Sequence, residues 1–185
     1  QLAFGPDGIL FVADSKSASI VAVATGDTKN SPVTQPLKVT GINEKVAGLL
    51  GIGVDQILID DLAVNPLSHN TYLAVSRGRG PTAVSVLVRV KADGQLEAVS
   101  LDAVKFSVAQ LPDAPAEGVV TPGPVQPRQT NPRQNAITDI AFFQDRVLVA
   151  SLSNEEFEPP LRAIPFPFQT GDKRTSVALC RRPHG

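Results

Sequence analysis

One arrangement recurs three times along the chain and limits what it can fold into. Each copy has a short apolar strand, a turn of Gly, Pro, Asp or Asn, a second apolar and β-branched strand running into Ser, a polar loop and a third strand. The first copy reads Leu2-Ala3-Phe4, Gly5-Pro6-Asp7-Gly8, Ile9 to Ser15, then Ser19 to Val23. The second reads Leu62-Ala63-Val64, Asn65-Pro66, Thr71 to Ser76, then Val84 to Val90; the third reads Ile140 to Phe142, Phe143-Gln144-Asp145, Arg146 to Ser151, then Leu161 to Phe166. The turns suit hairpins, because Gly, Asn and Asp accept positive φ and Pro presets φ at a turn corner. The spacing therefore predicts antiparallel meanders and an all-β chain, with blade-like copies over 1–40, 54–110 and 135–180.

The copies begin at Leu2, Leu62 and Ile140, intervals longer than the about 40–50 residues of a propeller-type repeat, so each interval holds an insertion. Ile42, Val46, Leu49 and Leu50 fall at i, i+4, i+7 and i+8, which predicts a short helical insertion near 42–51 with Gly51 as its stop. The second insertion, near 111–134, carries Pro112, Pro115, Pro122, Pro124, Pro127 and Pro132 and is expected to be an extended surface loop, since proline neither donates to a ladder nor continues a helix.

Composition excludes several classes. With 185 residues, 42% hydrophobic and 19% charged, the chain can bury a core and is not of the disordered type. A net charge of −1 supplies no global positive field for nucleic acid. The single Cys180 rules out an internal disulfide framework or a multi-cysteine metal site. No apolar run approaches the roughly 20 residues of a membrane-spanning helix, and no stretch has the layout of a signal peptide. The chain has no Met, opens on Gln1 straight into a strand pattern and stops after Cys180 to Gly185 without a turn or cap; it reads as a piece of a longer protein.

The run Leu2-Ala3-Phe4-Gly5-Pro6-Asp7-Gly8-Ile9-Leu10-Phe11-Val12-Ala13-Asp14-Ser15 resembles an NHL-repeat blade, in which a Pro-Asp-Gly hairpin leads into a Val-Ala-Asp-Ser strand. The same pattern is similar to gluconolactonase-like six-bladed propellers. The likeness is clearest over residues 1–25. It implies a β-propeller fragment of about three blades, and an arc of this kind would leave open sheet edges through which the chain could self-associate.

Carboxylates supply the candidate chemistry. Asp61 and Asp139 each precede the first strand of a copy in the same register. On inner propeller strands such acids would converge, and converging oxygens suit Ca²⁺; the plainer alternative is that each bonds nearby backbone N–H groups. Gluconolactonase-like propellers hold a divalent metal through Glu, Asn and Asp, and Asn154 and Glu155 stand as further metal candidates, or as part of a solvated acidic loop. Asp14, Arg77 and Arg79 lie in loops after second strands, where a ligand can be met. Arg77-Gly78-Arg79-Gly80 suits an anion or is simply a solvated tip. Phe157 and Phe166-Pro167-Phe168 read as an apolar edge that covers a sheet face or docks a partner.

No catalytic residue is assigned: His69 and His184 have no nucleophile elbow beside them, and no phosphate-binding loop is present. The expectation is a non-catalytic ligand- or protein-binding scaffold without a required cofactor, in the periplasm or outside the cell. The alternative is a Ca²⁺-dependent, lactonase-like hydrolase.

Overall fold

The computed structural model describes residues 1–32, 36–112, 114–116, 121–122, 129–130, 132–151 and 161–168. The elements run β1 (Leu2–Phe4), β2 (Ile9–Asp14), β3 (Ser19–Ala24), α1 (Ile42–Leu50), β4 (Ile57–Val64), β5 (Thr71–Arg77), β6 (Val84–Val90), β7 (Leu96–Ala98), β8 (Phe106–Gln110), β9 (Thr121–Pro122), β10 (Gln129–Thr130), β11 (Asp139–Phe143), β12 (Arg146–Ala150) and β13 (Leu161–Pro165). The chain is all-β in class, with α1 its one α-helix among the described residues. Four sheets form, ordered β1-β2-β3-β8, β4-β5-β6-β7, β9-β10 and β11-β12-β13. Each copy seen in the sequence thus begins one sheet as three successive strands.

One strand departs from that order. β8 lies within the span of the second copy but joins the sheet of the first. Its pairing is flanked by Ala24 N–H on the carbonyl of Lys105 (2.9 Å) and Leu111 N–H on that of Ala18 (2.9 Å), so β3 and β8 run in opposite directions.

The contacts divide the chain into two compact units, Gln1–Leu10 with Val23–Phe106, and Phe11–Ala22 with Ser107–Gly185. In the first, β4 to β7 form an antiparallel meander whose side chains alternate between two faces. One face is dry: Ile57, Leu73, Val75, Val88 and Val90 pack against Val46 and Ala47 of α1. Each such side chain stabilises the fold by about 1.5–3 kcal/mol on full burial. The expected helix is present, but its buried stripe is rotated. Ala47 enters the core and Leu49 is exposed, because the buried face centres between Val46 and Ala47, on the side of Leu50, and Leu49 lies more than a quarter-turn away from it. Gly51, at φ 66°, ends the helix with its N–H on the carbonyls of Ala47 and Gly48.

In the second unit, Phe11 is fully buried. It stacks on Phe142 at 5.4 Å and meets Phe166 edge-on at 5.0 Å. Phe166 and Phe168 therefore cover buried surface, while Phe157 lies outside the described residues. The Pro-rich stretch contains a two-residue antiparallel ladder, Gln129 opposite Pro122 and Thr130 opposite Thr121, which its proline content argued against. Prolines keep their carbonyls as acceptors, and arginines use them: Arg133 donates to Pro115 and Arg162 to Pro112.

The Pro-Asp-Gly turn has the form its residues favour. Asp7 and Gly8 both take positive φ (52° and 71°), and Ile9 N–H returns to the carbonyl of Pro6, the geometry that matches strand twist in a two-residue hairpin. At Gly8 a Cβ would stand 2.7 Å from the carbonyl oxygen of Asp27. Gly8→Ala is therefore expected to destabilise the fold by about 1–3 kcal/mol, combining left-handed strain with a backbone clash. Equilibrium urea unfolding of the two proteins measures it.

Candidate functional site

Tyr72 is the only tyrosine of the chain and is fully buried in β5. A phenol removed from water needs a partner for its hydroxyl. It finds Asp27, in the segment that leaves β3: Tyr72 OH donates to Asp27 Oδ2 at 3.0 Å. Two further donors reach the same oxygen, Ser68 Oγ at 2.6 Å and Asn70 Nδ2 at 2.9 Å. Asn65, wholly buried, donates Nδ2 to the backbone carbonyl of Asp27 at 2.7 Å and accepts Leu67 N–H at 2.9 Å. Ser31 N–H closes on the carbonyl of Leu67 at 3.0 Å.

Burial pushes the Asp27 carboxyl upward, yet the hydrogen bonds from Ser68, Asn70 and Tyr72 outweigh it and hold the group below the ordinary carboxylate range. The side chain is thus a carboxylate at neutral pH. Burial pushes the Tyr72 hydroxyl up and keeps it protonated as a donor. Behind it, Arg89 Nη1 donates to Tyr72 OH at 3.3 Å. Arg89 and Lys91 both pair with Glu97; Lys91, more than burial opposes, draws that carboxyl below its usual range.

The turn from β4 to β5 explains why these groups meet. The hairpins after β1 and β11 are tight, with Asp7-Gly8 and Gln144-Asp145 at positive φ. The corresponding turn of the second copy runs from Asn65 to Asn70, with Asn65 N–H on the Asn70 carbonyl at 2.9 Å and His69 at φ 59°. Its longer path brings Asn65, Ser68 and Asn70 around Asp27. Beside this network lies a cleft of about 310 Å³. Asp27, Lys29 and Ser31 line it from one segment, Ser68 and Asn70 from the turn, and Lys91, Ala92 and Asp93 from the connection after β6.

Of the residues singled out from sequence, none of the described ones lines this cleft. Asp61 lies inside β4 at an irregularity of the ladder, not ahead of the strand. Its Oδ2 accepts Leu2 N–H at 2.6 Å and its Oδ1 accepts Leu62 N–H at 2.8 Å. Asp139 is the first residue of β11, with Oδ1 on Ile140 N–H at 2.8 Å. Both therefore bond backbone amides, and they belong to different units. Asn154 and Glu155 lie outside the described residues. Among the described residues, no three His, Cys, Asp or Glu side chains form a group able to hold a metal ion.

Asp14 closes the turn after β2, accepting Lys16 N–H at 2.9 Å and Ser17 Oγ at 2.6 Å. Arg77 ends β5, and Arg79 donates Nε to the carbonyl of Asp55 at 2.8 Å. None of these residues lines the Asp27 cleft. No helix of the described residues is long and apolar enough to cross a membrane.

No family model, curated protein or solved structure matches the chain.

Asp27→Ala is expected to cost about 2–4 kcal/mol at neutral pH, because three donors lose their shared acceptor; urea unfolding followed by circular dichroism measures the loss. Since the folded carboxyl titrates lower than the unfolded one, its contribution is full above the unfolded pKa and disappears as pH falls through the folded value. Stability should therefore drop below about pH 4. In Asp27→Asn that part of the acid dependence should vanish, as unfolding measured from pH 7 down to pH 3 would reveal.

Proposed function

We propose that this chain is a non-catalytic ligand-binding scaffold built from blade-like antiparallel sheets of the propeller type. The observation that carries this reading is the cleft beside Asp27. Three connections of one sheet unit contribute polar side chains, charged ones of both signs among them, to a single concave surface, the usual placement of a binding site on a scaffold. Two features support a binding role over a chemical one. Asp27 has its Oδ2 engaged by three donors and is kept ionised, which suits a fixed charge better than a proton-transfer group. Asp14 and Asp61 serve as acceptors for nearby backbone amides. The blade-type reading draws on the meander order of the sheets and on the Pro-Asp-Gly hairpin.

Thermal melts against a panel of small polar compounds test it, with a lactone and ester turnover assay run alongside in the presence of Ca²⁺. The expected result is a saturable rise in Tm with one chemical class, growing with concentration as mass action requires, and no turnover. Lactone hydrolysis that a chelator abolishes would replace this reading with that of a hydrolase.

A further inference from the structure

Opposite charges face the Asp27 cleft without meeting. Lys29 and Lys91 line it together with Asp27 and Asp93, yet the ion pairs among the described residues are Arg89–Glu97 and Lys91–Glu97. No lysine nitrogen of the cleft therefore lies within 4.0 Å of either Asp27 or Asp93. Lys29 has no ion-pair partner among the described residues.

On the acidic side, Ser68, Asn70 and Tyr72 all donate to Asp27 Oδ2, and the Asn65 amide, seated on the Asp27 carbonyl, also helps to hold the carboxyl below its usual range, so that Oδ1 is the less engaged oxygen. Asp93 uses Oδ1 on Gln95 N–H at 2.9 Å and keeps Oδ2. A carboxylate oxygen accepts through two lone pairs and an ammonium offers three donors. The cleft thus presents an acceptor set and a donor set separated by more than an ion-pair distance.

Resting on the binding-scaffold reading, we propose that this cleft takes a small zwitterion of the α-amino acid type. Its ammonium is received by Asp27 Oδ1 and its carboxylate by Lys29, with Lys91 beside it. The volume, about 310 Å³, stands at the small end of ligand sites and fits a single compact molecule. A free anion would meet the fixed charge of Asp27. A simple cation would meet Lys29, whose charge has no ion-pair partner among the described residues, while that of Lys91 is taken up by Glu97. A molecule carrying both charges satisfies both sides, and its groups displace water from partners already held in place.

The test is a backbone amide NMR titration of the full chain with three probes of similar size: L-alanine, propionate and propylamine. The proposal requires saturable shifts at Ser31, Ser68 and Asn70 with alanine, and an affinity at least about tenfold above that for either singly charged probe. Lys29→Ala removes a side chain without an ion-pair partner, so the fold should be retained while alanine binding weakens about tenfold toward the level of propylamine. Propylamine binding as tightly as alanine would overturn the proposal in favour of a cation site. Absence of saturable shifts at these amides would also overturn it. Saturable shifts confined to other loops would overturn the cleft assignment yet leave the scaffold reading standing, whereas lactone turnover would remove the scaffold reading itself.

Discussion

A buried carboxylate is costly unless hydrogen bonds replace its lost contacts with water, and in this chain they are supplied to Asp27 Oδ2 without a cation touching it. Three neutral donors converge on one oxygen. Each hydrogen bond to a charged acceptor contributes about 1.5–3 kcal/mol, and losing any one leaves a group removed from water. The geometry is therefore demanding. It fixes the segment after β3 against the β4–β5 turn, with Asn65 holding the Asp27 carbonyl from within the turn. Gly8 lies against that same carbonyl, so the first hairpin is held to the same point. Thr25 completes the arrangement by donating Oγ1 to the carbonyl of Gly8 at 2.7 Å.

The sheet of β4 to β7 separates two kinds of chemistry. Under α1 it is apolar, and its contribution is close packing of Val, Leu and Ile. On the other face Tyr72 packs edge-on against Phe4 at 5.1 Å and directs its hydroxyl to Asp27. Arg89 follows on β6, opposite Tyr72 in the ladder, and Glu97 of β7 lies opposite Arg89. Strand register thus aligns Tyr72, Arg89 and Glu97 across three strands, an alternation of polar groups that keeps each charge beside a compensating partner. The segments after β3 and β6, with the β4–β5 turn, are the ones that line the cleft.

Much of the strand layout was legible in the chain itself. Asp7-Gly8 between apolar runs specified a tight hairpin, and the apolar, β-branched run from Thr71 to Ser76 specified a strand. The helix was legible from its stripe and from Gly51, apart from the exchange of Leu49 for Ala47, which depends on how the helix is rolled on its sheet. The place of β8 was not legible, because strand pairing over so long a separation leaves no local pattern. The Asp27 site was missed for a related reason. Asp27, Ser68 and Asn70 each look like ordinary turn residues, and only folding brings them together. One signal did exist: a single Tyr at position 72, inside an apolar strand, needs a buried acceptor. Asp61 and Asp139, aligned with each other in sequence, drew attention to amide-bonding positions because register along the chain says nothing about which donors lie nearby.

A double-mutant cycle on Asp27 and Tyr72 probes the network at its buried centre. Asp27→Asn, Tyr72→Phe and the double variant would be unfolded in urea at pH 7 beside the original protein, and the interaction energy taken from the four stabilities. A favourable coupling of about 1–2 kcal/mol is expected for a buried hydrogen bond to a charged acceptor. Additivity within about 0.3 kcal/mol would show that the two side chains act independently, and would contradict the central role of the Asp27 carboxylate in holding this fold together.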